Sequence, residues 1–330
     1  MIQPFELRLD LPVELAKGVI SSTKKVWQVL LASKKGDLNQ VKMLVDECPE
    51  LIYAQYNYTP PIHFAVREGH LKLVKYLLEN GAHDPDYKTY PFLDTLNTIA
   101  QDRDYYEIDT LLNEYCNDSS MWKYRGDNGN IQLKRTALEI EFQESVNTNN
   151  LKRTKEILSE HPEFATDASF FWWEGILMMP SKGFHSEMME LLINYGATIP
   201  DVIKWAQAYY FERFDAAGIL LKNGMNPNVM SWHHVTILHD MAQKGNLLMV
   251  KLLINHGAKI NVIEEEYQST PLGLAVRWGH INVVEYLLDL GADVNLSGTS
   301  WSKPIEWAKK KGFSEIENIL ENASGYQRQN

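Results

Sequence analysis

The sequence predicts an all-α solenoid of about nine stacked helix-turn-helix repeats with short loops between them. Three observations predict it. One phrase recurs along the chain: "GHLKLVKYLLENGAHDPD" (69–86), "GNLLMVKLLINHGAKINV" (245–262) and "GHINVVEYLLDLGADVNL" (279–296). Its paired apolar positions begin at 44, 77, 111, 157, 191, 220, 252, 287 and 319, a period near 33 broken by one long gap of 46. Within each copy the apolar residues fall at helical spacing and end in a glycine or a similar stop. A single hairpin of this kind cannot bury its own apolar face, so neighbours must stack to bury it together.

Taken in order, residues 1–22 form an N-terminal extension and residues 23–115 carry repeats 1–3, including the weaker copy "GDLNQVKMLVDECPELI". The long gap falls in "CNDSSMWKYRGDNGNIQLKR", so residues 116–135 are expected to be a protruding loop or a joint between two halves of the stack. Residues 136–323 carry repeats 4–9, with degenerate copies such as "NLKRTKEILSEHPEF", "GFHSEMMELLINYGATIP" and "ERFDAAGILLKNGMNPN"; residues 324–330 read as a frayed tail. Upstream of the clearest copies, "TPPIHFAVREGH", "VTILHDMAQKGN" and "STPLGLAVRWGH" each offer a Ser or Thr that can cap a short first helix before a glycine turn.

These phrases resemble the ankyrin repeat family. "STPLGLAVRWGHINVVEYLLDLGADVN" follows the family's Thr-Pro-Leu, Ala, Gly-His, Leu-Leu, Gly-Ala, Asn pattern almost throughout, and the resemblance covers roughly residues 23–323. It is strong in repeats 2, 7 and 8 and weak in repeats 3–6. The resemblance implies a binding scaffold: a loop before each first helix forms a finger, and ligands meet the fingers and the concave face lined by the first helices. It also places His63 and His239 at the family's Thr-Pro-Leu-His position, where the histidine packs and hydrogen-bonds within the stack.

Composition excludes several functions. A formal charge of −11 argues against nucleic acid or an anionic membrane as the main partner. No apolar run approaches a membrane span, and the first residues do not read as a secretory signal. Two distant cysteines, Cys48 and Cys116, are no disulfide framework, so a reducing cytoplasm is expected. Phosphate-binding glycine motifs are absent, and no cofactor is expected.

One stretch stands out: "SWHHVTILHD" (231–240). Its histidine spacing matches neither a zinc finger nor a metalloprotease helix, so no metal is expected. Laid in register, the fingertip position where the family prefers glycine becomes Tyr58, Phe92, Trp172, His234, Gln268 and Trp301. Neighbouring finger positions add Tyr56, Trp173, Trp232, His233 and Tyr267, and first-helix positions add Phe64, Trp278 and Trp307. The expectation is an aromatic concave groove with its rings projecting from fingertips, although Trp172 and Trp173, in "FFWWEGILMMP", also suit a core. Rings beside the acids Glu174, Asp240, Glu264, Glu265, Glu266 and Glu306 suit a protein partner carrying Lys or Arg, or a carbohydrate or other polar ligand. The alternative is an enzyme acting on a glycan or small polar substrate, with Glu174, Asp240, Glu265 and Glu266 as general acids and bases.

Overall fold

A computed structural model describes residues 1–82, 87–89, 91–116, 130–131, 135–199, 202–203 and 210–327. The chain divides into two compact units: residues 3–134, and residues 135–330 together with Met1–Ile2. Both are built from the helical hairpins that the period of 33 demands, so the fold class is the predicted all-α repeat array.

The first unit holds three hairpins, Thr23–Lys35 with Leu38–Glu47, Pro61–Arg67 with Leu71–Glu79, and Leu96–Asp102 with Tyr106–Cys116. Their first helices pack side by side in order. The second unit continues with Ala137–Asn147 and Leu151–Glu160, then Met178–Gly183 and Ser186–Asn194, then the second helix Phe214–Lys222. Three regular hairpins follow: Ile237–Gln243 with Leu247–Asn255, Pro271–Arg277 with Ile281–Asp289, and Pro304–Lys311 with Ser314–Gln327. These are repeats 7, 8 and 9. The paired apolar residues become the shared core, as with Leu77, Leu78, Leu253 and Leu287, all fully buried. Each such side chain contributes about 1.5–3 kcal/mol.

The N-terminal extension is more ordered than its sequence suggests. Pro12–Glu14 pairs antiparallel with Ile20–Ser22, and Asn130–Ile131 adds to its other edge. Val13 alone of its strand is buried, the period-two pattern of a half-covered strand. The return at 130–131 shows where the 116–135 segment ends up; its remainder, 117–129 and 132–134, lies outside the described residues, as does the end of the 324–330 tail.

The turn between the two helices is the same in repeats 1–5 and 7–9. Gly36, Gly69, Gly245, Gly279 and Gly312 occupy it with φ between 67° and 77°. The degenerate repeats keep the left-handed backbone without glycine, through Asp104, Asn149 and Phe184 at φ 59°, 56° and 54°. The next residue either caps the second helix, as Asp37, Asn150 and Asn246 do, or reaches back a repeat. His70 Nε2 meets the Lys34 carbonyl at 2.9 Å and His280 Nε2 the Gln243 carbonyl at 2.7 Å. The His280 ring therefore lies on the bare face of Gly245, where an added Cβ would come within 2.5 Å of it.

This contrast is testable. Gly257 also has positive φ, 90°, but an added Cβ there meets nothing within 4 Å. Gly257→Ala should lose about 1 kcal/mol from backbone strain alone. Gly245→Ala should lose a further 1–3 kcal/mol or so because the anchored His280 ring must move. Urea denaturation of both variants measures the difference, and equal losses would contradict the close approach.

Candidate functional site

The fingers of repeats 7–9 are the part of the second unit richest in candidate residues. Finger 7 starts at the short strand Met230–Ser231, which runs parallel to Val202–Ile203. Thr236 ends it by capping the following helix, and His239 completes a capping box with Thr236. His239 Nδ1 meets Thr236 Oγ1 at 2.7 Å, and Nε2 meets the Val262 carbonyl at 2.9 Å, which ties finger 7 to the next repeat. Burial holds His239 neutral, its pKa lowered to about 4. It is a structural histidine, as its motif position implies.

The fingertip residues adopt the backbone that glycine would adopt freely. Tyr58, His234 and Gln268 have φ of 61°, 60° and 51°, a conformation costing a non-glycine residue about 1–2 kcal/mol. In repeats 3 and 5 the left-handed residue is Leu93 or Phe171, not Phe92 or Trp172. Trp301 sits in the 3-10 turn Ser300–Ser302 and is not among the positive-φ residues. The register thus holds in three of the six fingers and slips by one where the repeats are degenerate.

The expectation that the rings project is corrected for most of them. Trp232, His233, Tyr267 and Trp307 are buried in the second unit, as Tyr56 is in the first, where its hydroxyl donates to the Glu6 carboxylate. Phe64 and Phe92 are buried as well. The physical reason is that the fingers tie to one another and draw their rings between them. The Glu265 N–H donates to the His233 carbonyl at 3.2 Å. Trp307 Nε1 donates to Ser269 Oγ at 2.9 Å, and Ser302 Oγ to the Gln268 carbonyl at 2.8 Å. Tyr267 and Trp301 both pack edge-on against Trp307, and Trp232 lies 4.2 Å from the His233 ring. Tyr58 stays 54% exposed and Trp278 38% exposed; His234 and Trp301 are half-buried. Trp172 and Trp173 fall in the short helix Phe170–Trp173, but their side chains lie outside the described residues.

The acids are similarly committed. His233 Nδ1 meets Glu266, and both side chains are buried. His234 Nδ1 meets Glu265 at 2.5 Å, and the Met1 amine lies on the same carboxylate. Asp240 is fully buried in the first helix of repeat 7, where Lys244 Nζ lies 2.8 Å away; burial outweighs that lysine and raises its pKa. Glu174 is buried, and its carbonyl accepts from the Tyr210 hydroxyl at 2.8 Å. Glu264 closes its own finger by accepting from the backbone N–H groups of Tyr267 and Ser269 at 2.8 and 3.1 Å. Burial, with the nearby Glu266 charge adding to it, raises its pKa to about 7.

Sequence reasoning passed over Arg277. Its buried guanidinium lies 4.0 Å from the Tyr267 ring, 5.0 Å from Trp278 and 5.3 Å from Trp307. It also passed over the lysines aligned with Trp278. Lys244, Trp278 and Lys311 each immediately precede a turn glycine, so a register of the inner-helix ends would have found them.

Two outcomes follow from this burial. Trp232→Ala should cost about 3–5 kcal/mol of stability, the range for an aromatic removed from a core, and chemical denaturation measures it; a loss under about 1 kcal/mol would return the ring to the surface. The second concerns pH. Glu264 holds its proton up to about pH 7 when folded and releases it near 4.5 when unfolded, so in that window the native state binds more protons and stability falls as pH rises. His239 acts oppositely: unfolded it protonates near 6.5, folded only near 4, so between those values stability rises with pH. Glu264→Gln removes one slope and leaves the other. Its denaturation midpoint should rise more steeply with pH than the unaltered protein's between about pH 4.5 and 6.5; parallel profiles would reject the assignment.

Comparison with known proteins agrees with this geometry. The family model for ankyrin repeats (3 copies) matches residues 22–89 and 205–297. The chain is 33% identical over 115 residues to alpha-latrocrustotoxin-Lt1a of Latrodectus tredecimguttatus, covering 34% of this chain and 8% of that protein. It is 34% identical over 117 residues to ankyrin repeat and SOCS box protein 6 of Mus musculus, covering 35% of this chain and 25% of the relative. An alignment of 340 positions to human transient receptor potential cation channel subfamily A member 1 is 22% identical and covers 88% of this chain and 26% of the channel. The chain thus spans about a quarter or less of these relatives' lengths. Among the described residues, no helix is long and apolar enough to cross a membrane. Left-handed turns at a period near 33, Thr-capped first helices and a buried motif histidine are the geometry of the segments that the family model matches, and residues 22–89 and 205–297 are ankyrin repeats.

Proposed function

We propose that this protein-interaction module holds its partner along the inner-helix ends of repeats 7–9, with Trp278 as the central contact. The observation that carries the reading is the exposure of that indole. Trp278 is 38% exposed at a helix end whose counterparts in repeats 7 and 9 are the lysines Lys244 and Lys311. Packing does not need a tryptophan there, and large accessible rings are the usual anchors of interfaces. Trp301 and His234 are half-buried at the fingers of repeats 9 and 7, at the other end of the first helices.

A protein partner suits this surface better than a sugar or a small polar substrate. Acid–base chemistry on a glycan would draw on Asp240, Glu265 and Glu266, and each already holds a cationic group or an imidazole. The scarcity of cysteine supports a reducing, cytoplasmic setting.

Panning a random peptide library displayed on phage against the full chain, and in parallel against Trp278→Ala, tests the proposal. Sequences should enrich on the unaltered protein and lose at least about tenfold in binding to the variant, whose stability should change little. Equal enrichment on both would overturn it.

A further inference from the structure

The first helices of repeats 7–9 share one interval from cap to turn. From the capping positions Thr236, Thr270 and Lys303 to the turn glycines Gly245, Gly279 and Gly312 is nine residues in each. The residue before the glycine therefore occupies one place in all three. Those residues are Lys244, Trp278 and Lys311, all exposed. The three helices pack side by side in sequence order, so the trio forms a row of cation, ring, cation. Packed helices sit about 8–10 Å apart, which sets the spacing of the row.

Lys244 and Trp278 each have a defined neighbour. Lys244 Nζ is fixed by the buried Asp240 at 2.8 Å and keeps further donors for a ligand. Arg277 lies 5.0 Å from the Trp278 ring and is itself held over Tyr267 at 4.0 Å, which orients the indole. Lys311 ends a helix whose last turn is Lys309, Lys310 and Lys311. Cations at a helix C-terminus answer the helix dipole, but that accounts for neither the tryptophan nor the alignment across repeats. Acids on the same helices are Glu306, exposed on the helix of Lys311, and Asp240, which meets Lys244.

We infer that this row docks an acidic segment of a partner protein in the polyproline-II conformation, with two carboxylates on Lys244 and Lys311 and an apolar side chain between them on Trp278. The spacing selects the conformation. A polyproline-II chain has three residues per turn and rises about 3.1 Å per residue, so every third side chain returns to the same face about 9 Å further on. That step matches one repeat. A β-strand alternates faces at every residue, so its third side chain would point away from the row. The motif expected is acid, any two residues, apolar, any two residues, acid. A protein bearing eleven excess negative charges repels a long polyanion elsewhere on its surface, but not a short segment confined to the row.

This inference rests on the proposed binding surface, and its test separates the two. Fluorescence anisotropy of the full chain with labelled Glu-Pro-Pro-Leu-Pro-Pro-Glu measures binding. Binding should fall at least about tenfold for Glu-Pro-Leu-Pro-Glu, for the peptide with Gly in place of Leu, and for Trp278→Ala. Lys311→Glu should weaken the parent peptide and restore binding to one with Lys at a single end. Circular dichroism of both variants checks that they fold. Equal binding of the two spacings, absence of binding, or heparin binding that survives Trp278→Ala would each overturn the inference. Peptides selected from the random library that depend on Trp278 yet lack acids would do so while leaving the surface itself intact; selection of none would remove both.

Discussion

The structure depends on one local constraint, the left-handed residue between the two helices of repeats 1–5 and 7–9. It turns the chain back within two residues, and it bares a patch of backbone on which the next repeat rests a ring. His70 lies over Gly36, Tyr105 over Gly69, His280 over Gly245 and Phe313 over Gly279. Intra-repeat geometry and inter-repeat packing are thus set by the same atoms. The histidines add a hydrogen bond to a carbonyl of the preceding repeat, at 2.9 Å in one case and 2.7 Å in the other. Such a device works only between nearest neighbours, which is why the array can tolerate degenerate members. Repeats 3, 4 and 5 lack the glycine but keep the backbone, through Asp104, Asn149 and Phe184. Asp and Asn accept that conformation at low cost, whereas Phe184 does so under strain.

Most of the fold was legible because its constraints are periodic. Helix spacing, turn glycines and capping Thr residues each recur near 33 residues, and a pattern repeated nine times outweighs local exceptions. The N-terminal strand pair and its third partner at 130–131 were not legible, since three-residue strands carry no periodic signal and their pairing joins residues more than a hundred positions apart. The histidine at Thr-Pro-Leu-His position was readable from motif alone, because its partners, Thr236 and the Val262 carbonyl, are supplied by the repeat itself. The burial of the finger rings was not. Trp232 and Tyr267 look like fingertip decoration in one dimension, and only the tie of each finger to the next turns them inward.

The fingers also show why acid content misleads as a sign of chemistry. Glu264, Glu265 and Glu266 are consecutive, yet they do three different things: one closes its own turn, one meets His234 and one meets His233. Burying an ionisable pair costs several kcal/mol of desolvation per group unless partners recover it. The buried His233–Glu266 pair is better understood as specifying how finger 7 fits finger 8 than as stabilising either finger. An apolar contact could slide by a residue, whereas an imidazole set against a carboxylate fixes the register of two irregular loops.

What the stack does not use is where function has room to act. Positions that face the core or the neighbouring finger are determined by packing, and their identities follow from the fold. The residue just before each turn glycine is not so determined: in repeats 2, 7, 8 and 9 it is Glu68, Lys244, Trp278 and Lys311, an acid, two lysines and an indole at one place. A solenoid holds such a place at a fixed interval, so substitutions there change the chemistry of the surface without altering its spacing. Arg277 then links the two kinds of position. It is buried like a core residue, stacked on Tyr267 and near Trp307, and it presents the Trp278 ring to solvent from beneath. The rigidity of the fingers is in this way passed to the one large ring that the inner-helix ends of these repeats leave exposed.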